Sequence, residues 1–212
     1  PAMWSFIRNE PSLKNANLKS LRCALSGGAS QPAEEMKIFN ETFGVALSEG
    51  FGLSECSSCS TYLRPEHSLK KAGSIGREII FNTVRVVDEK GEIVKPGEVG
   101  EIVQNDYTVM KGYYKMPKET KETIIDGWLH TGDLATVDED GFIYIKGRSK
   151  DMIISRGENI YPVELEQVII SHPKISDAAV IGIPDAKWGE TVRAIIVPVK
   201  GETITEEDVI NF

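Results

Sequence analysis

Between Leu21 and Gly52 the chain switches between the periodicities of strand and helix in an order that few folds allow. Residues 21–26 (Leu-Arg-Cys-Ala-Leu-Ser) predict a short strand running into Gly27-Gly28. Met36, Phe39 and Phe43 then recur at helical spacing, with Ser30 as the candidate N-cap, Pro32 in the first turn and Gly44 as the stop. Val45 to Ser48 predicts a second buried strand, ending in the loop Glu49-Gly50-Phe51-Gly52. Strand, helix, strand is an α/β unit, and in such units the carboxyl ends of the strands carry the ligand loops.

The pattern changes twice further along. From Gly73 to Gly147, the β-type runs Thr83–Val87, Gly100–Gln104 and Phe142–Ile145 are separated by the turns Asp88-Glu89-Lys90-Gly91 and Asp138-Glu139-Asp140-Gly141. Short strands so punctuated predict a small β-barrel or a twisted sheet. After Arg148, Met152–Ser155 predicts a strand. A helix follows over Pro162–Ser171 with Leu165, Val168 and Ile169 on one face, then strands at Ala178–Ile183 and Arg193–Val199. The expected fold class is therefore mixed α/β and α+β: residues 1–72 as a partial α/β subdomain, 73–147 as a β-barrel-like subdomain, and 148–212 as a hinge with a compact α+β domain. Thr205 followed by Glu206-Glu207-Asp208 predicts a helix start close to Phe212, and the chain opens on Pro1, so both ends read as cuts through something longer.

Charge and cysteine usage narrow the function classes. With 24 basic and 32 acidic residues among 212, the net charge is −8, which argues against a general binder of nucleic acid or anionic membrane. No apolar run approaches the roughly 20 residues of a membrane span. Three cysteines (Cys23, Cys56 and Cys59) cannot all pair within one chain, which favours a reducing, cytoplasmic setting. Cys56 and Cys59 form a C-x-x-C with no second pair and no histidine at finger spacing, so a structural role is expected rather than a zinc or redox site.

Four clusters could carry chemistry. Ser26-Gly27-Gly28-Ala29 lets a flat ligand approach the backbone, although such turns are usually only tight loops. Glu49-Gly50-Phe51-Gly52-Leu53-Ser54-Glu55 offers an aromatic face for a purine, a hydroxyl for a phosphate oxygen and a carboxylate for magnesium; taken alone it reads rather as a strand end with a core phenylalanine and a solvated glutamate. Trp128-Leu129-His130-Thr131-Gly132-Asp133 places a carboxylate on a tight turn, where it could accept both ribose hydroxyls or merely cap the turn. His130 is expected to pack rather than to catalyse. In Gly147-Arg148 the guanidinium fork could reach a ribose or phosphate, or form a surface ion pair.

In order, these segments, with Gly147-Arg148-Ser149-Lys150-Asp151 and Arg156-Gly157-Glu158-Asn159-Ile160-Tyr161-Pro162, resemble the core motifs of the adenylate-forming enzymes, which include acyl-CoA synthetases and nonribosomal peptide synthetase adenylation domains. The similarity runs from about Leu21 to Val199. The resemblance implies that Phe51 stands where a tyrosine usually stacks on adenine, keeping the π-face without the phenol. Ser54 stands where a threonine contacts the α-phosphate. Glu55 is implied as the magnesium-associated glutamate, Asp133 and Arg148 as ribose-binding groups, and Lys150 as the hinge about which the small domain swings. Gly157 is implied to line the path of the pantetheine thiol. Gly27, Gly28, Ala29 and Gly52 are implied around the nucleotide, and Gly50 beside the acyl group.

The implied parent reaction activates a carboxylic acid, with fatty acids the expected class, using ATP and Mg2+, and passes the acyl group to coenzyme A. Alternatives are an adenylation domain that loads a carrier protein, and a nucleotide-binding module without catalysis. The family's glycine-rich phosphate loop and its C-terminal lysine fall outside Pro1–Phe212, and both stabilise charge at the reacting phosphorus. This segment alone is therefore expected not to turn over. The check is pyrophosphate release with ATP and a panel of acids; clear release would make both elements dispensable.

Overall fold

A computed structural model describes every residue except Pro1, Asn9 and Ser30, with the backbone but not the side chains of Ala2, Ser5, Arg8, Lys14 and Asn15. The chain divides into two compact units, Pro1–Ile145 and Lys146–Phe212. No helix among the described residues is long and apolar enough to cross a membrane.

The first unit begins with α1 (Ala2–Arg8), β1 (Cys23–Gly27), α2 (Ala33–Phe43) and β2 (Ala46–Phe51). β1 and β2 are parallel, with Cys23 opposite Ala46 and Gly27 opposite Gly50. α2 buries Met36 and Phe39 against Ala24, Val45, Leu47 and Leu63, and Trp4 of α1 meets Phe39 edge-on at 5.1 Å. The α/β unit is as expected, and Gly44 ends α2 in the left-handed region at φ 63°. Two details differ. Pro32 occupies the cap position just before the helix rather than its first turn, with an extended ψ of 137°; the proposed cap Ser30 lies outside the described residues. β2 also continues through Glu49-Gly50-Phe51, because β3 (Thr61–Leu63) pairs with it antiparallel and satisfies its backbone. β4 (Arg77–Glu78) completes this sheet in the order β1-β2-β3-β4.

The second sheet contains β5 (Val84–Val87), β6 (Gly100–Gln104), β7 (Ile124–Ile125), β8 (Trp128–Val137) and β9 (Ile143–Arg148). Its order is β5-β6-β8-β7 with β9 on β8, forming half a barrel, and α3 (Pro117–Thr123) precedes β7. The two acidic turns form alike: Asp88 Oδ1 accepts from the amides of Lys90 and Glu92, and Asp138 Oδ1 from those of Asp140 and Phe142. Lys71 joins the second turn to the first sheet's side, donating to Asp138 at 2.7 Å and Asp140 at 2.6 Å. Ile75, Val86, Val94, Ile102, Ala135 and Ile143 form the core beneath this sheet. The expectation of a tight turn at Thr131-Gly132-Asp133 is corrected, since these residues lie within the ten-residue strand β8.

The second unit holds β10 (Ile153–Ser155), β11 (Glu158–Ile160), α4 (Pro162–Ile170), β12 (Ile175–Asp185), β13 (Gly189–Pro198) and α5 (Glu206–Ile210). Its sheet is antiparallel in the order β11-β10-β13-β12. α4 turns Glu166 toward β12, where its carboxylate accepts from the Val180 amide at 2.8 Å. Residues two apart on a helix diverge by about 200°, so Val168, expected on the buried face, is 56% exposed. Thr205 caps α5 as expected, and Asp208 returns the bond, each side chain accepting from the other's amide.

One exposed turn is strained. Asn82 N donates to Ile79 O at 3.1 Å, which places Phe81 at the third position of the turn with φ 73°. That position favours glycine, and the Phe81 side chain is 84% exposed, so little burial offsets the strain. Phe81→Gly is expected to raise stability by up to about 1 kcal/mol, whereas Phe81→Ala keeps the strain and should not. Thermal unfolding of the two variants checks this; a lower midpoint for Phe81→Gly contradicts it.

Candidate functional site

The carboxyl ends of β1 and β2 carry the first candidates. Gly27 faces Gly50 so closely that a Cβ on Gly27 would lie 2.9 Å from the Gly50 carbonyl oxygen. Beyond β1, Gly28 has open space around it at φ 85° and Ala29 is exposed. The glycine at position 52 serves loop closure, because a Cβ there would sit 2.1 Å from the Ser58 carbonyl oxygen. Glu49, between these segments, is 2% exposed. Its Oε1 accepts from the Gln31 amide at 3.0 Å, tying the loop after β1 to β2. Its Oε2 is buried without a hydrogen-bond partner among the described residues. Burial pushes the Glu49 carboxyl up to about 8 against the opposing pull of the Gln31 amide, so at neutral pH it carries its proton.

Phe51 ends β2 but packs, half-buried, against the core of the second sheet. Ser54 opens a short 3-10 turn, Ser54–Cys56, and is exposed. Cys56 is buried and structural: its Sγ accepts from the Leu53 amide at 3.2 Å and lies 3.0 Å from Ser60 Oγ. The half-buried Glu55 is held by a residue that the motif analysis missed. Tyr113 Oη donates to Glu55 Oε1 at 2.8 Å, and the Met110 amide donates to the Glu55 carbonyl at 2.7 Å. The run Gly112-Tyr113-Tyr114 ahead of Pro117 could have drawn notice as a turn rich in aromatic rings, but nothing local ties it to residue 55.

Asp133 owes its position to a bulge. Glu101 pairs with Leu134 and Val103 with His130, so two steps along β6 match four along β8, and the extra residues of β8 are unpaired with β6. Gly132, at φ 74°, supplies the backbone conformation this requires. Glu101 fixes the bulge with both oxygens: Oε1 accepts from the Gly132 amide at 2.8 Å, and Oε2 lies 2.7 Å from His130 Nδ1. Thr131 Oγ1 donates to the Ile102 carbonyl at 2.7 Å and accepts from the Asp133 amide at 3.1 Å. Asp133 is buried and shares a face of β8 with Ala135, a member of the core against which Phe51 packs. His130 thus contributes to the bulge, and Glu101 is a second residue missed from sequence.

The remaining candidates belong to the second unit. Arg148 ends β9 with an exposed side chain, and Lys150 is exposed in the 3-10 turn Ser149–Asp151. Arg156 and Gly157, at φ 55° and 81°, form the two-residue turn between β10 and β11. The Arg156 guanidinium stacks 4.0 Å above the Trp188 ring.

A hollow of about 780 Å³ lined by Leu13, Leu18, Leu21, Phe43 and Val45 lies at the amino ends of β1 and β2 and includes none of the candidates. Among the described residues no group of three or more His, Cys, Asp or Glu side chains is placed to hold a metal. Glu55 Oε2, by contrast, takes no hydrogen bond among the described residues. A single carboxylate oxygen suits a magnesium ion that takes its other ligands from phosphate and water.

The state of Glu49 sets a pH dependence. A carboxyl whose pKa in the fold lies above its unfolded value keeps full stability below about pH 4.5 and loses it as pH rises toward 8. Glu49→Gln keeps a carbonyl acceptor and cannot ionise, so it should be increasingly the more stable protein through that window, by on the order of a few kcal/mol above it. Thermal unfolding from pH 4 to 9 checks this; parallel curves for the two proteins contradict it.

Similarity to known proteins bears out the family resemblance. The profile of the family described as AMP-binding enzyme matches residues 1–114, and that of the AMP-binding enzyme C-terminal domain matches residues 164–212. A feruloyl-CoA synthase of Amycolatopsis sp is 42% identical over all 212 residues, which cover 43% of its length. The long-chain-fatty-acid–CoA ligase FadD13 of Mycobacterium tuberculosis is 39% identical over the whole chain and 42% of its own length. The o-succinylbenzoate CoA synthetase MenE of Bacillus subtilis, solved with its acyl-adenylate intermediate, superposes with a TM-score of 0.90 at 33% identity over 99% of this chain and 42% of its own. The same synthetase has been solved with ATP and magnesium ion (TM-score 0.87, 32% identity, the same coverage of both chains). The chain thus spans about two fifths of the length of these relatives. It belongs to the AMP-binding enzyme family of adenylate-forming proteins.

Proposed function

We propose that this chain is the nucleotide-holding part of an acyl-CoA synthetase. The parent enzyme joins a carboxylic acid to ATP, releasing pyrophosphate, and the thiol of coenzyme A then displaces AMP to leave the thioester. The observation that carries this reading is that Phe51, at the end of β2, packs against the core of the second sheet, to which Ala135, two residues along β8 from the buried Asp133, also belongs. On this reading the Phe51 ring offers its open side to adenine, and the Asp133 carboxylate accepts from the ribose hydroxyls. Ser54 Oγ donates to an α-phosphate oxygen, and Glu55 holds the magnesium ion, which neutralises charge on the phosphates when bound. Gly27, Gly28 and Ala29 border the nucleotide, and Gly50 the acyl group.

In the second unit we assign Arg148 to the ribose, Lys150 to the hinge and Gly157 to the thiol path, and we assign residues 73–147 to a subdomain of their own. Feruloyl, long-chain fatty and succinylbenzoyl acids, the substrates named by the relatives, define the panel to be tested, with an aliphatic acid as our first choice.

The test is thioester formation by the complete protein that contains this chain, followed by mass spectrometry across that panel. One acid is expected to give its CoA thioester with stoichiometric AMP. Asp133→Asn should raise the KM for ATP about 10- to 100-fold, the cost of weakening hydrogen bonds to a charged group, while leaving the KM for the acid nearly unchanged. Loading of a carrier protein instead of coenzyme A, or an unchanged KM for ATP, contradicts the assignment.

A further inference from the structure

The segment between β6 and α3 clasps the loop after β2 at three points. The Met110 amide donates to the Glu55 carbonyl at 2.7 Å, Ser57 Oγ donates to the Thr108 carbonyl at 3.0 Å, and Tyr113 Oη donates to Glu55 Oε1 at 2.8 Å. The first two bonds reach backbone and would hold any loop. The third reaches the Glu55 carboxylate itself.

We propose that Tyr113 is a positioning residue for Glu55: its phenol occupies Oε1, fixes the side-chain rotamer and leaves Oε2 as the oxygen presented to a metal-bound nucleotide. The proposal rests on the acid-activating reading above and adds to it a residue outside the recognised motifs.

The placement of the phenol is over-determined from behind. The Tyr113 amide donates to Thr120 Oγ1 at 2.9 Å, and that hydroxyl donates to the Met116 carbonyl at 2.7 Å. At Gly112 a Cβ would lie 2.6 Å from Thr120 Cγ2, so the chain is pressed against α3 just before the tyrosine. The start of the segment is held by Asp106, whose carboxylate accepts from the amides of Thr83 and Thr108 and from Gln104 Nε2. The phenol therefore arrives at Glu55 from a scaffold that does not depend on the Glu55 side chain. An unrestrained glutamate samples several rotamers, and fixing one in advance removes freedom that ligand binding would otherwise have to remove.

The test uses Tyr113→Phe, which keeps the ring, together with Glu55→Gln and the double variant. ATP affinity of the complete protein that contains this chain is measured by calorimetry with Mg2+ and again in EDTA, alongside thermal unfolding. In Tyr113→Phe the ratio of the two affinities should fall about 5- to 10-fold, the range of one hydrogen bond, with the metal-free affinity and the unfolding midpoint unchanged. In the Glu55→Gln background the same substitution should have no further effect. A wild-type ratio in Tyr113→Phe overturns the proposal, as does an equal loss with and without metal, which would mark a purely structural tyrosine. Indifference of the complete wild-type protein to Mg2+ would remove the magnesium–ATP reading itself and this proposal with it, an outcome distinct from a metal effect that survives in both proteins.

Discussion

The bulge in β8 is the constraint on which the first unit depends. Side chains alternate across a strand, so adding residues on one side of a ladder decides which of them face inward afterwards. Here the extra residues near Thr131–Asp133 are held by Glu101, which engages the Gly132 amide and the His130 ring with separate oxygens. The Gly132 amide would otherwise lack a ladder partner. Beyond the bulge, Ala135 is fully buried and Val137 packs beside the same core. The register of that core and the inward placement of Asp133 therefore have a common cause.

A second link runs through β2. This strand pairs with β1 on one side and β3 on the other, yet its last residue, Phe51, packs against the core of the other sheet. The loop carrying Ser54 and Glu55 thus leaves from the point where two cores meet. Glu49 holds the loop after β1 at the same strand end, and the Met110–Tyr113 segment holds the loop after β2. The loops after β1 and β2 are in this way each held by a residue from another part of the chain.

That distinction explains what could be read from the sequence. α2, the two aspartate turns and the Thr205 cap follow from residues within a few positions of one another, and each was legible, as was the strand–helix–strand order of the α/β unit. Where a partner lies far along the chain, legibility failed. The extension of β2 to Phe51 depends on Thr61–Leu63, and the strand character of Trp128–Val137 depends on β6. Val168 looked inward by apolarity alone, but the hydrogen bond from Val180 to Glu166 sets the rotation of α4. The motifs named Phe51, Ser54, Glu55 and Asp133, whereas Tyr113 and Glu101 are visible only as contacts across 58 and about 30 residues.

The central claim is that Phe51 and Asp133 border one adenosine-binding surface. Titration of the isotope-labelled chain with AMP, followed by amide resonances, tests it most directly. The account predicts that Phe51 to Ser54 and Gly132 to Asp133 shift together along one binding curve, while Leu21 and Val45 in the opposite hollow stay still. Shifts confined to that hollow, or to one of the two segments without the other, would contradict it.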